Sequence, residues 1–406
     1  MRFLAVAMVW AISAGATLAQ DNRIDSLRPD APVLAQRGDL AVGVRTLNLV
    51  DAGRPDILAG GDATQDRPLT VELWYPAKAD PSARTTYEDV VLRDGVTLVS
   101  LTGTATRDAA PDAQSGPYPL VVVSHGFPGN RFLLSHFGEN LASKGYVVAA
   151  VDHFESTYDN QLGFASTLAN RAPDQLFVLD TMSRLDGELA GLVDAENSAI
   201  IGYSMGGYGA LVSAGAGLAP AAAGSGFAPA QALAGVTAGS PAYADLADPR
   251  LKAIIAIGPW GRQNDFWDAD GLAGITMPVL FMAGDQDEVS DYRNGIRVLF
   301  EETTNADRHL LTFAGAGHNA AAPIPAPHET YGLADSGTFE HYADFVWSNE
   351  RMNNVAQHFA TAFLDLHLKG QSDSASYFAI THDAIWPGFG ERATRGLTLE
   401  HLPAAD

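Results

Sequence analysis

Ser198-Ala199-Ile200-Ile201-Gly202-Tyr203-Ser204-Met205-Gly206-Gly207-Tyr208-Gly209-Ala210-Leu211-Val212 is the stretch on which the fold turns. The apolar run up to Ile201 reads as a strand, and Tyr208 onward reads as a helix. Between them a G-x-S-x-G turn sets one serine on a sharp strand-to-helix reversal. Small neighbours are needed there, because the serine backbone is strained and bulky side chains would block the turn. This is the pattern of a nucleophile elbow, and it makes Ser204 the candidate nucleophile. With 40 glycines in 406 residues the five-residue pattern alone recurs by chance, so its weight comes from what surrounds it.

Outward from the elbow the chain alternates. Residues 42–50 and 69–75 read as strands, the second closed by Pro76. Residues 120–124 and 146–151 are continuous apolar runs, as in strands buried on both faces. Residues 132–143 between them carry helical spacing and end at Lys144-Gly145, a C-terminal signal. Residues 176–192 read as a second helix, leading through Asp194-Ala195-Glu196-Asn197 into the strand before Ser204. Residues 253–257, 279–283 and 309–313 read as strands, and 355–368 as a closing helix with Gly370 beyond. The alternation predicts an α/β fold, a mostly parallel sheet covered by helices on both faces. Two stretches break it: 215–248, dominated by Ala, Gly and Pro, and 319–349, with Pro323, Pro325 and Pro327 ahead of an aromatic cluster. Both follow candidate catalytic residues, where such a sheet carries substrate-shaping loops; surface padding is the alternative.

The chain is 47% hydrophobic and 18% charged, ample for a large core. Arg2, the apolar run 3–16 and the small residues Thr17-Leu18-Ala19 have the form of a secretory leader over 1–19, too short to span a bilayer. Residues 20–406 are expected to form one domain, with insertions near 215–248 and 319–349 and a C-terminal extension over 370–406 that packs back on the body. The formal net charge of −23 argues against nucleic acid and anionic membrane as partners. There is no cysteine, hence no disulfide, thiol nucleophile or Cys-based metal site.

A resemblance emerges from several blocks together. His125-Gly126-Phe127-Pro128-Gly129-Asn130-Arg131, then Leu141 to His153, with Trp74-Tyr75-Pro76 and Pro259-Trp260, resemble the α/β-hydrolase superfamily over residues 69–370. They are most similar to the branch holding platelet-activating-factor acetylhydrolases and the bacterial proteins called predicted dienelactone hydrolases. Dienelactone hydrolases proper use a cysteine, which this chain lacks, so that activity is not carried over.

The resemblance implies a Ser-Asp-His order. A serine needs a base to remove its proton, and the base needs a third group to orient it. His318, in Gly315-Ala316-Gly317-His318-Asn319, matches the base; His328 and His341 are weaker alternatives, and His153 reads as a packing or hydrogen-bonding residue. In Gly284-Asp285-Gln286-Asp287-Glu288-Val289 two aspartates compete for the acid, with Glu288 a more distant candidate; the resemblance matches the later one, Asp287, and Asp285 would then be a turn residue bonding the local backbone. The oxyanion donors are the amide of Met205 and, by the match, that of Phe127, with Gly126 the alternative because Pro128 has no amide to give. His125 is expected to brace this loop. Phe127 and Trp260 are the candidates for an apolar substrate pocket; Tyr331, Phe339, Phe345 and Trp347 read as the underside of the insertion.

The expectation is therefore an exported serine carboxylic-ester hydrolase acting on short to medium acyl esters or lipid-like esters. No cofactor and no metal is expected, as no His and carboxylate cluster has zinc-motif spacing. Other readings are a lipase, polyesterase or amidase with the same triad, a cofactor-free haloperoxidase-like activity, and a non-catalytic periplasmic binding module on the same fold.

Overall fold

A computed structural model describes residues 21–78, 85–241, 243, 247–380 and 385–405. The expected leader at 1–19 lies outside the described residues. No helix of the described residues is long and apolar enough to cross a membrane.

Among the described residues, twelve strands and seven α-helices carry the fold. The strands are β1 (Val42–Pro55), β2 (Thr64–Pro76), β3 (Thr85–Val91), β4 (Leu98–Gly103), β5 (Thr106–Arg107), β6 (Tyr118–Ser124), β7 (Val147–Asp152), β8 (Val193–Tyr203), β9 (Leu251–Ile257), β10 (Val279–Gly284), β11 (Arg308–Phe313) and β12 (Leu397–Leu402). Ten of them form one sheet in the order β12-β11-β10-β9-β8-β6-β7-β2-β1-β5, and β3 and β4 make a separate hairpin. From β7 to β11 every pairing is parallel, and β12 and the β1–β2–β7 side are antiparallel. The α/β expectation holds.

The sheet is buried on both faces because its central strands are apolar at successive positions, not only at alternate ones. Val121, Val123, Ile201, Ile255 and Met282 face one core, while Leu120, Val122, Ile200, Ile254 and Phe281 face the other. The helices are α1 (Ser135–Ala142), α2 (Phe164–Met182), α3 (Met205–Ser213), α4 (Ala269–Leu272), α5 (Arg297–Glu302), α6 (Ser336–Glu340) and α7 (Asn349–His367). Phe137 of α1 and Phe359 of α7 fill the first core; Leu179 of α2, Leu211 of α3 and Phe300 of α5 fill the second.

The second helix departs from expectation. It spans Phe164–Met182, not 176–192. Its first half carries Pro173 and the polar Arg171, Asp174 and Gln175, which hide the helical signal, yet all three polar residues are buried. It ends at Met182, with Ser183 as its C-cap, and Gly187 and Gly191 beyond it adopt positive φ of 58° and 73°. The β3–β4 hairpin and β12 carry no legible strand pattern in the sequence. Within the 215–248 stretch, Leu218, Leu233 and Val236 are buried in the second core. In the C-terminal extension, Trp386 and Phe389 pack on Phe359, with ring centroids 6.0 and 5.8 Å away.

Burial also sets an acid limit on stability. His136, His153, His341 and His358 are each pushed down to about 3, in every case chiefly by burial. An unfolded chain takes up those protons at about pH 6.5. Between pH 6.5 and 3 the unfolded state therefore binds more protons than the native one, and stability falls as pH falls. Each histidine contributes at most about 1.4 kcal/mol per pH unit in that window. The expected result is a urea midpoint that drops clearly from pH 7.5 to pH 5. A midpoint unchanged over that range would contradict neutral burial of these imidazoles.

Candidate active site

Ser204 stands between β8 and α3 with φ 53° and ψ −113°, a strained conformation for a non-glycine residue. Its amide donates to the Ile257 carbonyl at 2.9 Å, and its own carbonyl accepts from the amides of Tyr208 at 2.9 Å and Trp260 at 3.3 Å. The flanking glycines are required by space. A Cβ on Gly202 would overlap the Gly206 carbonyl, and one on Gly206 would overlap the Ser124 carbonyl. Sequence thus fixes the reversal, and the reversal aims the Ser204 hydroxyl out of the sheet.

His318 Nε2 lies 3.0 Å from Ser204 Oγ, and His318 Nδ1 lies 2.8 Å from Asp287 Oδ2. The other carboxylate oxygen of Asp287 accepts the amides of Val289 at 2.9 Å and Ser290 at 2.8 Å, which fixes its orientation. Asp287 is 4% exposed and Ser204 7%. Asp285 is not a local turn bonder: its Oδ1 accepts the Gly315 amide at 2.7 Å, tying the β10 turn to the loop that carries His318. That loop is held from the insertion as well, where Asp344 accepts the Gly317 amide at 2.8 Å. The insertion over 319–349 therefore braces the imidazole, a role its sequence does not reveal.

The amides of Phe127 and Met205 have no acceptor among the described residues. The Gly126–Phe127 loop lies against the elbow, since a Cβ on Gly126 would sit 3.2 Å from that of Ser204. Phe127 and Ser204 open into a cleft of about 530 Å³, lined on its other sides by Arg93, Glu288, Glu340 and Asp344 and by Phe345 and Val346. Trp260, expected to line the pocket, stands outside this cleft. Its ring packs edge-on against Phe164, Phe227 and Phe266, with centroids 5.1, 5.5 and 5.2 Å away. The Trp260 amide is pinned to the elbow, and this turns the side chain into the aromatic cluster behind it. Phe345, expected to pack under the insertion, is instead 79% exposed at the cleft rim.

Known proteins resemble the chain in the same terms. A family model described as PET hydrolase-like (PETase) matches residues 76–233, which include the His125 loop and the elbow but neither Asp287 nor His318. Cutinase est2 of Thermobifida alba is 25% identical over 208 residues, 51% of this chain and 55% of that one. Platelet-activating factor acetylhydrolase of Canis lupus familiaris is 29% identical over 140 residues, 32% of each chain. The chain spans about half the length of the cutinases it matches first. A ferulic acid esterase from Streptomyces cinnamoneus superposes with a TM-score of 0.62 over 91% of this chain and 99% of its own, at 24% identity. The chain has the α/β-hydrolase fold.

Behind the His125–Phe127 loop lies a buried polar network with no legible signal in the sequence. His125 Nδ1 donates to the Gly126 carbonyl at 2.7 Å, and its Nε2 accepts the His153 amide at 3.2 Å, so the loop is braced as expected. Arg171 donates to the His125 carbonyl at 3.0 Å and more weakly to that of Gly126 at 3.4 Å. The carbonyl of Gly126 belongs to the same peptide as the Phe127 amide. A cation on that oxygen holds the peptide in orientation and polarises its N–H. Burial pushes the Arg171 guanidinium down only to about 9, so it stays charged at neutral pH. One turn further along α2, Gln175 donates to the Gly206 carbonyl at 3.0 Å. Arg67 grips Asp174 through two bonds of 2.7 and 2.9 Å, and Asp174 lies 2.9 Å from His153 Nδ1. Burial alone would raise the Asp174 carboxyl, but Arg67 and His153 hold it well below the usual carboxylate range.

His153 Nε2 also lies 2.8 Å from Ser124 Oγ. Ser124, His153 and Asp174 thus repeat the connectivity of Ser204, His318 and Asp287, yet all three are at most 1% exposed. No substrate can reach Ser124, so this set is a brace. Replacing Arg171 by Met keeps most of the stem and removes the charge. The expected result is a kcat for ester hydrolysis lowered about 10- to 100-fold, below the loss of a direct oxyanion donor, with KM changed little. A KM effect of equal size, or unchanged kcat, would remove Arg171 from the support of the oxyanion loop.

Proposed function

We propose that this chain is an exported serine carboxylic-ester hydrolase whose residues 20–406 form one catalytic domain. Ser204 Oγ attacks the ester carbonyl as His318 Nε2 takes its proton, and Asp287 holds the imidazole with its Nδ1–H toward the carboxylate. The Phe127 and Met205 amides receive the oxyanion. His318 then gives its proton to the departing alkoxide, which leaves an acyl-Ser204. Water, deprotonated by His318, attacks that acyl group and regenerates the serine. The observation that carries this reading is the unbroken relay of 3.0 and 2.8 Å from Ser204 to Asp287 at the floor of an open cleft. The similarity to proteins named cutinase, acetylhydrolase and PET hydrolase-like supports ester chemistry. The leader at 1–19 supports export.

A cleft of about 530 Å³ suits a short to medium acyl ester. A polymeric ester is the second reading. It is favoured by those names and by the apolar rim, where Val289, Phe345 and Val346 are 46, 79 and 69% exposed. The test is hydrolysis of p-nitrophenyl esters from acetyl to dodecanoyl, together with a polyester film. A rate maximum at short to medium chains supports the first reading, and release of soluble product from the film supports the second. Inactivity on every ester would favour a binding module. If the rim touches the acyl chain, Phe345→Ser raises KM for the octanoyl ester several-fold and leaves the acetyl ester unchanged. Equal KM on both esters would place Phe345 outside the acyl path.

A further inference from the structure

At the opposite end of β11 from the loop that bears His318, three metal-ligating side chains converge. Strand alternation puts Asp307, just ahead of β11, on the same face as His309. The antiparallel register pairs His309 with His401 of β12. The two imidazoles stack with centroids 4.4 Å apart and planes 14° from parallel. His401 Nε2 lies 2.5 Å from Asp307 Oδ1. One ligand atom from each of the three residues falls within 4.8 Å of the other two. The His309 imidazole is 9% exposed and makes no hydrogen bond among the described residues. A neutral imidazole without a hydrogen-bond partner keeps a ring-nitrogen lone pair available to a ligand.

We propose that Asp307, His309 and His401 form a binding site for a divalent transition metal ion, which staples the edge strand β12 to β11. Two imidazoles and one carboxylate suit zinc, and they disfavour calcium and magnesium, which take oxygen ligands. Zinc binds such groups at about 2.0–2.2 Å in tetrahedral geometry, with a water completing the set. The ion takes the place of the proton now shared between His401 and Asp307, and that proton leaves to solvent. His401 and Asp307 are half exposed, so the ion has a path in. The site lies away from Ser204 and takes no part in the ester chemistry. Its role is to fix the last strand of the sheet, which holds the C-terminal extension and the strand leading to His318. Spacing along the sequence cannot show it, because the third ligand comes from the far end of the chain.

Zinc sulfate is titrated calorimetrically into the untagged full-length protein, into His401→Ala and into Asp307→Asn, with thermal unfolding measured with and without zinc. Both substitutions change half-exposed side chains and leave the β11–β12 backbone ladder intact. The expected result is saturable one-to-one binding that each variant weakens about tenfold or more, with a zinc-dependent rise in Tm in the wild-type protein alone. Calcium chloride gives no saturable heat at this site. Absence of saturable zinc binding to the wild-type protein overturns the proposal. So does binding of equal strength in both variants, which would assign the metal to carboxylates elsewhere on this acidic surface.

Discussion

Ser204→Ala is expected to lower kcat on p-nitrophenyl acetate by about a million-fold, with KM and thermal stability nearly unchanged. Loss of a triad nucleophile has this scale because the remaining groups then have no acyl acceptor to serve. Fold is spared because the hydroxyl contributes one hydrogen bond, 3.0 Å to His318, while the elbow is held by the Ser204 backbone and by Gly202 and Gly206. Alanine has to adopt the same φ of 53°, so the strain is the same in both proteins. Ester turnover that survives in the variant would place the nucleophile elsewhere.

The second large effect separates the two aspartates of the β10 turn. Asp287→Asn is expected to reduce kcat about 10⁴-fold. The reason lies in the two amides, Val289 and Ser290, that bond Asp287 Oδ1. They would fix the oxygen of an asparagine on their side and turn its NH₂ toward His318 Nδ1. That nitrogen must then accept, so the proton moves to Nε2, and His318 can no longer take one from Ser204. Asp285→Asn keeps an oxygen for the Gly315 amide and is expected to cost less than tenfold in kcat. Equal losses in both variants, measured as kcat on the same ester, would contradict the assignment of Asp287 as the orienting acid.

Local signals carried much of this site. The Gly-flanked serine, the Gly-flanked histidine and the acidic turn after an apolar strand are short patterns, and each sits at the C-terminal end of a buried parallel strand. Such strands are legible because they are short apolar runs bounded by turn residues. What escaped the sequence is what depends on three-dimensional partners. Arg171, Asp174 and Gln175 look like residues of an exposed segment and, with Pro173, hid the first half of α2; their burial makes sense only once the oxyanion loop lies against them. Trp260 was misjudged because position after a strand fixes a backbone but not the direction of a side chain. Asp344 reaches Gly317 from an insertion with no recognisable pattern. The strand β12 has too little apolar alternation to be seen without β11 beside it.

The most direct test of the central claim is covalent. The purified protein is treated with a fluorophosphonate, and the adduct is weighed intact and mapped by peptide mass. One adduct per chain is expected, on Ser204, formed rapidly in the wild-type protein and absent from Ser204→Ala. An unmodified wild-type protein, or an adduct on any other serine, would contradict it.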